Sequence, residues 1–401
     1  MISLDEIKQA QEAISKLARC TPLEYSTSLT NLTGNEIYLK AENLQKTGSF
    51  KIRGAYNKIR LLSPEERKKG VLAASAGNHA QGVAYAASFA GIKSTIVMPE
   101  TAPLTKISAT KSYGAEVVLH GENYDDAYQK ADEIRAETGQ IFIHAFNDPA
   151  VISGQGTLGL EIFAQLPDVD VVLAPIGGGG LIAGTALALK ELNPRIKLIG
   201  VQTAGAPAMY LSKQLDKLHY LKSVSTIADG IAIKRPGDLT FEIIRRYVDD
   251  ILTVDDEEIS SAILFLLERA KLVVEGAGAV GVAALIHGKL AVRGKKIAVV
   301  LSGGNIDVNI VSRIIERGLV KTGRSVRLVT SIPDRPGELR KLLQLVAEAK
   351  ANVIGVYHER VEPQVPLGKA KVELRLETKN KQHAEGIVYF LAKEGYQVQL
   401  I

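Results

Sequence analysis

From about Val71 onward, short and wholly apolar runs alternate with stretches whose apolar residues recur at helical spacing. "GVLAASAG" predicts a strand and turn, "NHAQGVAYAASFAG" an Ala-rich helix, "KSTIVMPE" a strand, "PLTKISATKSYG" a helix and "AEVVLHG" a strand. "NYDDAYQKADEIRAETG" and "QIFIHAF" continue the series as helix and strand. Strands that are apolar throughout are buried on both faces, as in parallel sheets covered by helices. A second block repeats the pattern. It runs through the strand "DVVLAPI", the helix "LIAGTALALKEL", the strand "IKLIGVQT", the segment "DDILTVDDEEISSAILFLLERA" and the strand "KKIAVVLSGGN", with a helix around "DVNIVSRIIERG". The opening "MISLDEIKQAQEAISKLA" is an amphipathic helix, and the first fifty residues, too few to fold alone, are expected to complete one of these blocks.

At "GLVKTGRSV" (318–326) the pattern changes. Strand "VRLVTSI", turn "PDRPG", helix "ELRKLLQLVAEAKA", strand "NVIGVYHERV", strand "KAKVELRLET", a helix from about Lys381 and a last strand "YQVQLI" spell βαββαβ. That order is ferredoxin-like and predicts a separate domain. The fold class is therefore α/β, two parallel-sheet blocks followed by a small βαββαβ unit.

Composition narrows the function classes. With 401 residues the chain needs two or three domains. Hydrophobic residues make up 46% and charged residues 23%, and the formal net charge is only +5. The basic cluster "ERKKG" (66–70) carries no interleaved aromatics and reads as a solvated helix end, so no nucleic-acid partner is expected. Cys20 is the only cysteine, which excludes an internal disulfide and a Cys-rich zinc site and suits a reducing cytoplasm. Val171 to Leu189 is uncharged and nearly long enough to span a bilayer, but Pro175 and four glycines interrupt it. Strand–turn–helix is the expected structure there, with no membrane segment.

Candidate chemistry begins at "ENLQKTGSFKIRGA" (42–55). A helix starting near Ser49, with that serine as N-cap, places Lys51 in the first turn, where the macrodipole disfavours a cation. A lysine there is a candidate for a lowered pKa, as a nucleophilic or imine-forming amine needs. Taken alone, Lys51 reads equally as one surface lysine among 49 Lys and Arg residues. "PIGGGGLIAG" (175–184) is the strongest single feature, since Gly177, Gly178, Gly179 and Gly180 let backbone amides approach a phosphate at a helix start. Gly178, Gly180 and Ala183 satisfy G-x-G-x-x-G/A, yet the next strand ends at Gln202 with no carboxylate for a ribose. A small phosphorylated cofactor is favoured over NAD or ATP, and a purely structural turn stays open. In "SAGNHAQG" (75–82), Ser75 and the amides near Gly77, Asn78 and His79 can cradle a carboxylate, and Asn78 can donate to a ring hydroxyl; a local cap and a packed histidine are the plainer readings. In "VVLSGGN" (299–305), Ser302 ends a strand, where a hydroxyl could face a pyridine nitrogen or simply make a turn. Together, a lysine, a glycine cup for one phosphate and a hydroxyl for a ring nitrogen add up to pyridoxal 5'-phosphate.

At this point the chain resembles the threonine dehydratases (threonine ammonia-lyases) of the fold-type II, tryptophan-synthase-β-like pyridoxal-phosphate enzymes. The motifs are "KTGSFKIRGA", "SAGNHAQG", "GGGGL", "TIADGIAIKRPG" and "LSGGN", spread over residues 1–320. The tail with "PDRPGEL" resembles a single ACT domain, an amino-acid-sensing module. The resemblance implies a catalytic domain at 1–320, with a smaller subdomain at about 52–150 inserted in a larger one, and a regulatory domain at 325–401. It implies that Lys51 carries the cofactor and then removes the Cα proton, with the β-hydroxyl leaving and hydrolysis giving ammonia and a 2-keto acid. Phe50, Asn78, Gly177 to Gly180, Leu181 and Ser302 would hold the cofactor, and Ser75, Ala76, Gly77, His79 and Asn147 the amino-acid substrate. The resemblance to serine racemases implies a second serine in those relatives where this chain has Ala76, so racemisation is expected to be poor. It also implies a divalent-ion site in them built on acids that Gln202 and Ala208 replace here, so no metal is expected there. An isoleucine-biosynthetic role, a homo-oligomer (dimer or tetramer) and an amino-acid effector near Gly337 and Asn352 complete what the resemblance implies. A serine-preferring dehydratase and a non-catalytic sensor remain as alternatives.

Overall fold

In the computed structural model, which describes residues 2–401, strands β1 (Leu23–Tyr25) and β2 (Glu36–Ala41) come first but join a sheet whose other members lie far downstream. The next four strands, β3 (Val71–Ala74), β4 (Ser94–Met98), β5 (Glu116–Leu119) and β6 (Ile141–Phe142), form their own parallel sheet in the order β5-β4-β3-β6. Then β7 (Val171–Pro175), β8 (Lys197–Thr203), β9 (Asp250–Val254) and β10 (Lys296–Leu301) complete the larger sheet, β1-β2-β10-β7-β8-β9. It is parallel apart from β1, which runs antiparallel to β2. The first fifty residues thus finish the larger block, as their composition required. Strands β3, β4 and β7 are buried at every position, which explains their unbroken apolar sequence.

The uncharged stretch from Val171 resolves into β7, a glycine turn and the helix Gly180–Leu192. Among the described residues no helix is long and apolar enough to cross a membrane. The "ERKKG" cluster ends the short helix Pro64–Lys69, which buries no residue.

By contacts the chain divides after Asp307. The second unit, Val308–Ile401, opens with the helix Val308–Lys321. It contains β11 (Ser325–Pro333), β12 (Asn352–Glu359), β13 (Lys369–Glu377) and β14 (Val398–Leu400) in one antiparallel sheet ordered β12-β13-β11-β14. The helices Glu338–Glu348 and Lys381–Lys393 fill the crossovers, giving βαββαβ.

The helix Pro149–Gln165 is absent from the pattern-based reading. Residues 151–162 are all buried, so no polar face marks its period. Its glycines admit close neighbours: a Cβ on Gly154 would lie 2.6 Å from the Arg53 carbonyl oxygen. It packs against both the helix Lys51–Arg60 and the helix Gly180–Leu192.

A buried ion network locks that contact. The Arg53 guanidinium, with no exposed surface, grips Glu42 through Nε and Nη2 at 2.8 Å each and Glu161 through Nη1 and Nη2 at 2.6 and 2.9 Å. Lys40 Nζ adds a third cationic contact to Glu161 at 2.7 Å. Two carboxylates thus face two cations, and each fork is bidentate. Removing one partner of a buried set strands the others, so Arg53→Met should destabilise the protein by about 3–5 kcal/mol. Denaturant unfolding monitored by circular dichroism checks this, and a loss below about 1 kcal/mol would contradict the network's role.

Candidate active site

Ser49 does not cap the Lys51 helix, contrary to the expectation from its sequence. The helix spans Lys51–Arg60, its N-cap is Phe50, and the Ser49 hydroxyl is buried without a partner. The reason is that residues 49 and 50 belong to the end of the large sheet. Ser49 bridges Gly303, and the Phe50 amide donates to the Ser302 carbonyl oxygen at 3.1 Å. Lys51 is thereby fixed next to Ser302.

The Lys51 ammonium donates to the carbonyl oxygen of Ala145 at 3.1 Å and lies 5.2 Å from the centroid of the Phe50 ring. Its pKa is lowered to about 8. Burial is the cause, and the carboxyl of Glu275 opposes it by raising the value. The direction is the one expected from the sequence, but loss of water drives it, where the sequence had pointed to the helix dipole.

Strands β10 and β7 are parallel neighbours, so Ser302, just past β10, and Gly177–Gly180, just past β7, leave the same carboxyl end of the sheet. Ser302 is 2% exposed. The glycine loop is packed hard on one side: a Cβ on Gly178 would strike the ring of Phe146, and one on Gly180 would come within 2.9 Å of the Phe146 Cα. Gly179 has φ +96°, a conformation that favours glycine. The Thr240 hydroxyl donates to the Gly178 carbonyl oxygen at 2.6 Å, fixing the loop from the far side. No side chain caps the helix Gly180–Leu192, so its first-turn amides stay available to an anion, and Leu181 is buried behind them.

The third loop behaves similarly. The helix Asn78–Phe89 has Gly77 as N-cap and no side-chain cap, while Ser75 Oγ accepts from the Gly77 amide at 3.2 Å. Ala76 is half-buried. The His79 ring is buried with Nε2 2.8 Å from the Ile143 carbonyl oxygen, and burial takes its pKa down to about 3, so it stays neutral and packed. Asn147 has both ends of its amide engaged: Nδ2 donates to Asp238 at 2.6 Å and Oδ1 accepts from the Leu239 amide at 3.1 Å.

Phe146, Thr240 and Glu275 were not singled out from the sequence. The first two carry no signal, being single residues set against glycine. Glu275 does carry one, as the only charge between Lys271 and His287. It is 3% exposed, it accepts from Asn78 Nδ2 at 2.6 Å, and burial raises its pKa to about 7.

These residues suit a small molecule carrying one phosphate and an aldehyde. Uncapped amides and absent Cβ atoms fit the phosphate, and a part-buried amine of lowered pKa fits the aldehyde. Among the described residues no three His, Cys, Asp or Glu side chains group to hold a metal. Gln202 turns Oε1 to the Tyr210 amide at 2.9 Å, which leaves its buried Nε2, a donor, without a partner. In the second unit, Gly337 sits at φ +93° ahead of the helix Glu338–Glu348, and Asn352 Nδ2 donates to Glu377 at 3.2 Å.

Residues 14–303 match the family described as pyridoxal-phosphate dependent enzyme. The chain is 57% identical to the L-threonine ammonia-lyase of Thermotoga maritima over 401 residues, all of both chains. It is 47% identical to the catabolic L-threonine dehydratase of Escherichia coli strain K12 over 315 residues, which are 78% of this chain and 96% of that one. Among solved structures, maize serine racemase superposes with a TM-score of 0.75 at 38% identity, covering 80% of this chain and 98% of that one.

Proposed function

This chain belongs to the pyridoxal-phosphate dependent enzymes, and we propose that it is a lyase that converts L-threonine to 2-oxobutanoate and ammonia, eliminating a water that the later hydrolysis takes up again. The observation that carries the reading is the Lys51 amine, set beside Ser302 by the Phe50 amide's bond to the Ser302 carbonyl oxygen, given a single carbonyl partner at Ala145, and lowered in pKa to about 8 by burial. When bound, pyridoxal phosphate supplies an electron-withdrawing ring that lets a proton leave the substrate's Cα. Lys51, as a neutral amine, takes that proton. The β-hydroxyl departs as water, its extra proton balancing the one that Lys51 removes from Cα, and the released enamine takes up water to give ammonia and the 2-keto acid.

The other residues bind and orient. The amides of Gly177–Gly180 and Leu181 hold the phosphate, Phe50 flanks the lysine, and Asn78 donates to the ring hydroxyl. Ser302 would offer the ring nitrogen a hydroxyl in place of a carboxylate, an arrangement that would leave that nitrogen largely neutral and favour prompt elimination. Ser75 and the backbone of Ala76, Gly77 and His79 receive the substrate carboxylate, with Asn147 bracing the facing loop. Against racemisation speaks Ala76, because alanine has no proton to offer on the face opposite Lys51.

Residues 1–320 form the catalytic domain in this proposal and 325–401 an ACT domain with an effector site at Gly337 and Asn352. Isoleucine or valine is the effector favoured by a biosynthetic role. Support for pairing between copies comes from β12, an edge strand that exposes Val353, Ile354, Val356 and Tyr357. A reducing cytoplasm suits the single thiol of Cys20.

Keto-acid release from L-threonine should exceed that from L-serine, and Lys51→Ala should lower the threonine rate by at least about 10²–10⁴-fold. A larger yield from serine would move the substrate assignment, and near-normal turnover by Lys51→Ala would end it. Removing residues 325–401 should preserve elimination while abolishing any response to isoleucine, a separation supported by the length of the Escherichia coli relative. Inhibition that survives the truncation would place the effector site upstream.

A further inference from the structure

One buried carboxyl beside the site has no part in the chemistry above. Glu275 directly precedes the helix Gly276–Ile286, and its amide donates to the Gly303 carbonyl oxygen at 3.0 Å, which ties it to the turn after Ser302. Its Oε1 accepts from Asn78 Nδ2 at 2.6 Å. Burial raises its pKa, Asp229 adds to the rise, and Lys106, the Asn78 bond and Lys51 oppose it.

On the other side of Asn78, Asn305 Nδ2 donates to Asn78 Oδ1 at 2.7 Å and also to the Thr47 carbonyl oxygen at 2.8 Å. Thr47 and Gly303 thus anchor the two partners to the loops that flank Lys51. A side-chain amide has a donor end and an acceptor end, and its partners decide which way round it sits. Here Nδ2 meets an acceptor and Oδ1 meets a donor. Reversing the amide would set oxygen against oxygen and nitrogen against nitrogen. One of the two Nδ2 hydrogens is committed to Glu275, which leaves the other for a ligand.

We propose that Glu275 is a positioning residue that acts with Asn305 to hold the Asn78 amide donor-side toward the cofactor, so that an oxygen acceptor on the pyridine ring is met by N–H and never by a carbonyl. The proposal rests on the cofactor reading given above. A carboxyl serves this purpose in either protonation state, because Oε1 accepts from Asn78 while a proton resides on Oε2. It follows that glutamine, whose carbonyl oxygen accepts in the same place, should substitute, whereas alanine frees the amide to turn.

The test titrates pyridoxal 5'-phosphate into the full-length, cofactor-stripped protein and follows its visible absorption band. Glu275→Ala should weaken the dissociation constant about tenfold and displace the band, and Glu275→Gln should stay within about threefold of the unmodified chain with the band in place. Equal effects of alanine and glutamine, whether both large or both absent, overturn the proposal, because a general loss of stability or of charge would not spare glutamine. If Glu275→Ala does not fold, Asn305→Ala removes the opposite pin and should also weaken binding about tenfold; an unchanged constant overturns it. A flat titration of the unmodified chain, seen before any variant is made, overturns the cofactor reading and this inference with it.

Discussion

An amine that must be fixed in position and yet kept short of water is the constraint on which this structure turns. Lys51 has one hydrogen-bond acceptor, the Ala145 carbonyl oxygen, and a phenyl ring beside it. Its pKa falls because the charged form is poorly solvated there. Such a group can be held only by a rigid frame. Ser49 and Phe50 are bound into the end of the sheet at Ser302 and Gly303, and Arg53, two residues on, is clamped by Glu42 and Glu161. The strong charges of the motif are thus spent on the frame, and the weakly partnered one is left for chemistry.

The same economy shapes the glycines. In the loop after β7 the absent Cβ atoms make room for Phe146 and Thr240, which press the backbone into one shape. The amides that result have no side chain of the protein to cap them. In the helix Pro149–Gln165 the absent Cβ at Gly154 lets the backbone bearing Arg53 come close. One set of glycines shapes the loop after β7 and the other lets two helices meet at Arg53 and Gly54.

Much of this was legible in the sequence, for identifiable reasons. Parallel strands buried on both faces leave an unbroken apolar record, so β3, β4, β7 and β10 were readable, and the alternation in 325–401 gave the βαββαβ order. A lysine, a glycine run and a strand-end serine are residue types that few structural roles require together, so the site could be assembled from three loops. The Pro149–Gln165 helix was not legible, because burial on all sides erases periodicity. The Ser49 cap failed for a different reason: pairing with Gly303, remote in sequence, overrode a local propensity. Phe146 and Thr240 act through shape against glycine, which leaves no local signature, whereas Glu275 shows in the sequence as a lone charge in an apolar stretch but its partner Asn78 lies 197 residues away.

The central claim is that Lys51, and no other lysine, is the amine that carries the cofactor. Borohydride reduction of the protein loaded with pyridoxal 5'-phosphate, followed by peptide mass mapping, tests it most directly. The phosphopyridoxyl mass should appear on the peptide containing Lys51, the amine that burial keeps partly neutral. A stable mark on a different lysine, with Lys51 unmodified, would contradict the account.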